Sequence, residues 1–130
     1  MAKPSEPRDQ IARLARRATG LELLVLHGSR ARGDDRPASD WDLAYLAEAP
    51  FDADDFLADL VIALGTDHVD LANLARASGL FRYRVARDGQ PLFESEEGVF
   101  DRFWLRAVTF WCDAEAVLRR GYEDLLAEYR

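Results

Sequence analysis

Apolar residues along the chain follow two different spacings. In some segments they recur every three or four residues, as on one face of a helix, and between these lie short continuous apolar runs of strand length. Stretches rich in glycine, proline and charge separate the segments. The pattern predicts, in chain order, a helix from a Ser5 cap to Ala18, a strand over 21–27, a tight turn over 28–38 that leads into one helical turn, a strand over 40–47, a helix from Asp52 closed by Gly65, a strand over 67–74, a helix over 78–86, an extended piece at 91–93, and a helix over 97–129 that Gly121 could kink.

The order of these elements predicts the fold class. Helices that alternate with strands in this way form an α+β or α/β fold, in which helices pack against a sheet. We expect the helices to lie on one side of that sheet. The length of 130 residues is common for one domain, so residues 1–130 are expected to form a single domain.

Cysteine content and hydropathy bear on the compartment. Cys112 is the single cysteine of the chain, so an internal disulfide is excluded and the reducing cytoplasm is favoured. No apolar run approaches the ~18 residues that a membrane span requires. The first eight residues lack the apolar core of a signal peptide. We therefore expect a cytoplasmic protein without a membrane partner.

The charge of the chain limits its partners. Seventeen Lys and Arg residues stand against 24 Asp and Glu residues, which gives a net charge of −7. Proteins that bind nucleic acid draw most of their affinity from cationic side chains, so direct nucleic-acid binding is not expected. An acidic domain suits a small-molecule substrate or a basic protein partner.

The segment after the first strand has the features of a phosphate site. Gly28 and Ser29 end the apolar run, and a glycine lets the backbone turn sharply and approach a ligand closely. The backbone N–H groups that follow and the Ser29 hydroxyl can donate to an anion. Arg30 and Arg32 add guanidinium groups suited to phosphate oxygens. These residues form a candidate triphosphate cradle.

Carboxylates at strand positions form the second candidate feature. Asp40 and Asp42 are two residues apart on the second predicted strand, so they share a face, and Trp41 between them points into the core. Asp70 lies within the third strand and could join them. Like charges held together favour a bound cation, and carboxylate oxygens suit Mg²⁺. Such clusters can hold two metal ions for phosphoryl transfer.

Together the two features resemble a known superfamily. Gly28-Ser29 after an apolar strand, then about ten residues, then Asp40-Trp41-Asp42 and a later strand aspartate, is similar to the nucleotidyltransferases that include DNA polymerase β. The sequence from Gly28 to Gly33 resembles that of the smallest members of the superfamily, the minimal nucleotidyltransferases (MNT), which are found in bacteria and archaea beside HEPN-domain proteins. His27 and Trp41 depart mildly, since an aromatic and an aliphatic residue are frequent there.

The resemblance implies a fold and a site. The fold has a central mixed sheet packed by helices, and its chemistry uses ATP with two divalent ions, Mg²⁺ or Mn²⁺. The implied catalytic residues and metal ligands are Asp40, Asp42 and Asp70, and the implied nucleotide-binding residues are Gly28, Ser29, Arg30 and Arg32. His27 and His68 are expected to be structural, His27 as a hydrogen-bonded core residue.

Three functions remain open at this point. The resemblance implies the antitoxin of a HEPN/MNT toxin–antitoxin pair, which transfers AMP from ATP to a tyrosine of the HEPN ribonuclease. The alternatives are a small-molecule nucleotidyltransferase similar to aminoglycoside-modifying enzymes, and a non-catalytic antitoxin that acts by binding alone. The aromatic face of the last helix, with Phe103, Trp104 and Trp111, is either core or a surface for a partner.

Overall fold

The computed structural model describes residues 6–129. The helices and strands alternate along the chain, and one short 3₁₀ turn over Leu74–Arg76 follows the third strand. Their bounds are α1 (Pro7–Arg17), β1 (Leu21–His27), α2 (Ser29–Arg32), β2 (Trp41–Ala47), α3 (Ala53–Leu64), β3 (Val69–Asn73), α4 (Gly79–Asp88), β4 (Gln90–Glu94) and α5 (Val99–Glu128).

The four strands form one mixed sheet in the order β3-β2-β1-β4. The central strand β1 is antiparallel to both β2 and β4, whereas β2 and β3 are parallel. Residues 23–26 of β1 are fully buried, which explains why this strand is an unbroken apolar run instead of an alternating one. The predicted mixed sheet with a long final helix is confirmed.

Helices cover both faces of the sheet, so the expectation of helices on one side is wrong. On one face, Leu24 and Leu26 of β1 pack with residues of α1 and α3, including Ile11 and Leu60. On the other face, Leu23 and Val25 of the same strand pack against α4 and α5. Alternate residues of β1 thus enter two separate cores, and β1 is the shared wall between them.

The bounds of the elements agree with the predicted pattern within a few residues. The predicted turn after β1 does contain one helical turn, α2. The third strand is shorter than predicted at both ends, and at its C-terminal end Asn73 caps the 3₁₀ turn, its side chain accepting from the N–H of Ala75 at 2.9 Å. The predicted Ser5 cap lies outside the described residues. Helix α5 runs for 30 residues and stays helical through Gly121. Among residues 6–129, no helix combines the length and the apolar character needed to cross a membrane.

Gly89 provides a test of the packing between α4 and the sheet. A Cβ at this position would overlap the carbonyl oxygen of Val85 and the side chain of Val25. We expect Gly89→Ala to lower the free energy of unfolding by about 1–3 kcal/mol, as overpacking of a core does. Gly121→Ala is the matched control, because a Cβ there meets open space. Urea unfolding of both variants measures the difference, and an unchanged midpoint for Gly89→Ala would contradict this packing.

Candidate active site

Gly28 turns the chain out of β1 and brings it against Asp42. Its φ of 72° lies in the left-handed region, and a Cβ added there would overlap the Asp42 carboxylate. Only glycine meets both conditions. Gly28 then caps α2, its carbonyl accepting from the N–H groups of Ala31 and Arg32 at 3.1 Å each. Ser29 is the first residue of α2. The turn at Gly28 therefore places the start of α2 next to the Asp42 carboxylate.

A row of polar residues crosses the sheet beside this turn. In the strand register His27 of β1 pairs with Asp42 of β2, and Asp42 pairs with Asp70 of β3. Residues paired in register point to the same face, and neighbouring strands are about 4.8 Å apart. Asp40 comes immediately before β2, two residues from Asp42. The prediction that Trp41 points into the core is confirmed, since its side chain packs in the α1/α3 core.

The row concentrates negative charge at a half-buried position. Burial raises the pKa of Asp42 above its usual value, and the neighbouring carboxylates of Asp40 and Asp70 raise it further. His27 and Arg32 act in the opposite direction. The site therefore has an unfavourable excess of negative charge, which a bound cation would relieve.

His27 is hydrogen-bonded only in part, although a fully hydrogen-bonded core histidine was expected, since the backbone of Leu43 supplies its one hydrogen bond within residues 6–129. Its Nε2 atom is buried and has no hydrogen-bond partner within residues 6–129. The ring packs edge-on against Phe81, with centroids 5.3 Å apart. Burial lowers the pKa of His27, and Asp42 and Asp70 oppose that shift only in part. The imidazole therefore adds little positive charge to the site near neutral pH.

Asp40 contacts a residue that was expected to be structural only. Its Oδ1 lies 3.3 Å from Nδ1 of His68, and both side chains are more than half exposed. Within residues 6–129, no three His, Cys, Asp or Glu side chains are arranged to hold a metal ion. The contact with His68 uses only Oδ1 of Asp40, so the second carboxylate oxygen is available for a cation shared with Asp42. The sequence could have indicated a role for His68 near the site, since it lies two residues before Asp70 and residues two apart on a strand share a face.

Arg30 holds the loop that precedes Asp40. Its guanidinium donates to the carbonyl oxygen of Ser39 at 2.7 Å and lies 3.3 Å from the Asp35 carboxylate. It also stacks on the Trp41 ring at 4.0 Å, and 13% of its side chain is exposed. These contacts fix the backbone on both sides of Asp40. Arg30 is thus engaged in positioning, and its predicted contact with a nucleotide stays a prediction.

Arg32 lies on a cationic cleft beside the row. The cleft has a volume of about 450 Å³ and is lined by His27, Gly28 and Arg32, together with residues of α4. Two of these are arginines that the sequence analysis did not single out, Arg84 and Arg87. Arg87 is paired with Asp88 at 2.7 Å. No spacing rule places α4 against β1, so the sequence alone gave no signal for these two residues.

Comparison with known proteins agrees with this geometry. The family model described as polymerase beta, nucleotidyltransferase matches residues 9–98, which include the turn, the loop and all three aspartates. The chain belongs to this nucleotidyltransferase family. The predicted family membership is therefore confirmed, while the individual residue roles stay predictions.

Relatives of this nucleotidyltransferase are similar over nearly their whole length. The protein adenylyltransferase MntA of Aphanizomenon flos-aquae is 32% identical, over 93% of this chain and 89% of the relative. A toxin–antitoxin crystal structure with AMP-PNP has a TM-score of 0.73 at 26% identity, covering 92% of this chain and 98% of the other. The MNT antitoxin complexed with a tri-AMPylated Shewanella oneidensis HEPN toxin shares the fold, with a TM-score of 0.68 at 24% identity, over 92% of this chain and 96% of that one.

The raised pKa of Asp42 leads to a stability prediction for the metal-free protein. A carboxylate whose pKa is raised by folding favours the folded state only when protonated, so its ionisation destabilises the fold as pH rises above 3.8. We expect Asp42→Asn to raise the melting temperature at pH 7, by no more than a few degrees because solvent screens this partly exposed carboxylate.

Melting in EDTA-containing buffer from pH 4 to pH 8 measures this effect, with Asp59→Asn on the exposed face of α3 as the control. The gain for Asp42→Asn should grow as pH rises from 4 and level off by pH 7. A loss of stability at pH 7 would show that the Asp42 charge is already compensated within the protein.

Proposed function

We propose that this protein is the adenylyltransferase antitoxin of a HEPN/MNT pair, which inactivates its toxin by transferring AMP from ATP to a tyrosine. The observation that carries the proposal is the strand register that sets Asp42 between His27 and Asp70, directly against the Gly28 turn. The relative at 32% identity is a protein adenylyltransferase. A similarly folded antitoxin has been crystallised with its toxin and AMP-PNP.

The reaction is a displacement at the α-phosphorus of ATP. The phenol oxygen of the toxin tyrosine forms a bond to that phosphorus, and the bond from the phosphorus to the β-phosphate oxygen breaks. Diphosphate leaves, and the phenol proton passes to the surroundings. Since the reacting groups supply all atoms, the protein has to align donor and acceptor and to stabilise the developing negative charge.

Asp40, Asp42 and Asp70 would hold two divalent ions, Mg²⁺ or Mn²⁺, after their side chains, which are near one another in the strand register but not grouped as ligands within residues 6–129, turn towards the ions. Their oxygens are hard ligands, and a cation would relieve the burial and the repulsion between carboxylates that together raise the pKa of Asp42. Such ions, when bound, neutralise charge on the phosphates and on the attacking and leaving oxygens. Asp70 lies at the outer end of the row, on the strand at the edge of the sheet, which suits it to the acceptor side.

The triphosphate fits the cationic side of the site. The backbone N–H groups at the start of α2 and the Ser29 hydroxyl can donate to phosphate oxygens. Arg32 is half exposed and paired only loosely with Asp34 at 3.5 Å, so it can turn to a phosphate. Arg84 lines the same cleft from α4. We assign Arg32 and Arg84 to the phosphates and Arg30 to positioning.

The chemistry of the product explains how AMP would silence a ribonuclease. Each added adenylate carries a phosphodiester charge, and this charge repels RNA phosphates where the toxin must bind them. We place the reaction in the cytoplasm, where ATP and an RNA-cleaving toxin meet and where the thiol of Cys112 stays reduced. Neutralisation by binding alone is the second candidate, because α5 exposes large apolar side chains such as Leu118 and Tyr122.

Transfer provides the direct test of this proposal. Incubation of the protein with its HEPN partner, ATP and Mg²⁺ should raise the mass of the partner in steps of one adenylate, on a tyrosine. Asp42→Asn and Asp70→Asn should lower the rate by about 100-fold or more, as the loss of one preorganised charge does at such sites. Intact mass spectrometry with a ribonuclease assay measures both effects.

Asp59→Asn is the control for transfer, because Asp59 lies on α3 and outside the row. It should retain the wild-type rate. The contradicting outcome is a variant without all three aspartates that leaves the toxin unmodified and yet still inhibits it. That result would show that the antitoxin acts by binding and not by catalysis.

The assignment of the triphosphate leads to a separate prediction. Arg32→Ala, Arg84→Ala and Ser29→Ala should each weaken nucleotide binding, the arginine variants by about tenfold, which is the value of one charge-assisted hydrogen bond. Arg102→Ala is the matched control, since Arg102 is exposed on α5 and pairs with Glu96. Titration with a non-hydrolysable ATP analogue measures the affinities. Unchanged affinity in both arginine variants would show that the triphosphate binds outside this cleft.

A further inference from the structure

The C-terminal half of α5 extends beyond the packed body of the protein. The buried residues of α5 are Val99, Phe103 and Ala107, all in its first third. Trp111 stacks on Tyr83 of α4, with ring centroids 5.9 Å apart. From Glu115 to Tyr129 all fifteen residues are exposed. At a rise of 1.5 Å per residue, this free segment is about 22 Å long.

Large apolar side chains line one side of the free segment. Leu118 and Tyr122 are 67% and 63% exposed, and Tyr129 is 82% exposed. We use the name α5 stripe for the residues Trp111, Leu118, Tyr122, Leu125 and Tyr129. Their spacings of seven, four, three and four residues follow the seven-residue repeat of helices that pack along one another. The stripe is therefore shaped to lie against another helix.

The free segment gains little stability from the rest of the chain. Helices of about 12–15 residues are marginal in water without tertiary contacts. Within the segment, the ion pair between Glu115 and Arg119 at 3.0 Å contributes little, because both side chains are more than half exposed. Exposed leucine and tyrosine side chains in one row mark an interaction surface in soluble proteins. A partner that covers the stripe would supply the missing stabilisation.

Charge favours the toxin over a second copy of this chain as that partner. The free segment carries four acids and two arginines, and the whole chain has a net charge of −7. Two copies brought together along this helix would repel each other. A ribonuclease must present cationic surface to bind RNA phosphates, so it complements an acidic helix. Related antitoxins of this fold are found in complexes with their toxins.

We propose that the α5 stripe is the docking surface for the HEPN toxin and packs along one of its helices. The inference rests on the proposed function, because that function names the partner. It assigns docking and transfer to different parts of the chain, since the stripe lies beyond residues 9–98, which match the nucleotidyltransferase family. The stripe holds the toxin while the row of aspartates acts on the tyrosine.

Two neighbouring residues of the free segment provide a matched test. Leu118 lies in the stripe, and Val117 lies beside it off the stripe with a similar exposure of 60%. Leu118→Asp and Val117→Asp place the same charge on the same turn, so any loss of helix stability is shared. We expect Leu118→Asp to raise the dissociation constant for the toxin by about 30-fold or more, as loss of a central anchor does, and Val117→Asp by less than about threefold.

Calorimetric titration with the purified toxin measures these affinities, light scattering of each variant alone measures self-association, and circular dichroism checks the helix. Equal effects of the two substitutions would overturn the proposal. So would a wild-type dimer that Leu118→Asp separates without changing the affinity for the toxin, since the occupant would then be a second copy. If the stripe binds the toxin but wild-type protein adds no adenylate, docking stands and the proposed function fails.

Discussion

The site depends on one constraint, the close packing of Asp42 against the Gly28 turn within a fixed strand register. Because β1, β2 and β3 are hydrogen-bonded neighbours, the register that buries Leu43 and Ala44 on opposite faces also sets Asp42 between His27 and Asp70. A shift by one residue would turn the aspartates into the α1/α3 core. The apolar residues of the strands thus hold the charged row in place, and folding stabilises an arrangement that electrostatics alone would disperse.

Around this constraint, Arg30 anchors the loop from Gly33 to Asp40 at several points. Arg30 binds the loop carbonyl at Ser39, the Asp35 carboxylate and the Trp41 ring at once, which joins the turn after β1 to the start of β2. The guanidinium is suited to this because its planar fork can donate along its edge while its face stacks on an aromatic ring. Arg30, which directly follows Gly28 and Ser29 in the sequence, therefore helps to hold Asp40 in position.

Much of the molecule could be predicted from the sequence, for identifiable reasons. The candidate site residues could be recognised because a glycine-serine turn followed by strand aspartates is suited to binding phosphates and metal ions. This holds for Gly28, Ser29 and the three aspartates. The placement of α4 could not be predicted. Connections between parallel strands are right-handed, which fixes the side of the sheet on which α3 lies between β2 and β3. This rule does not apply to α4, because α4 leads to the antiparallel strand β4. Arg84 in the cleft was missed for this reason, and the contacts of Arg30 with its own loop could not be predicted because the path of that loop was unknown.

The contact between Gly28 and Asp42 joins folding and activity at a single point. A side chain at position 28 would collide with the carboxylate, so it could be accommodated only if residue 42 were also made smaller. The same change would remove a proposed metal ligand. A side chain at position 28 therefore requires a change at position 42, whereas residue 42 can change while Gly28 stays, because its φ of 72° favours glycine independently. A relative with a side chain at position 28 would therefore keep this fold as a scaffold for binding but without the carboxylate at position 42.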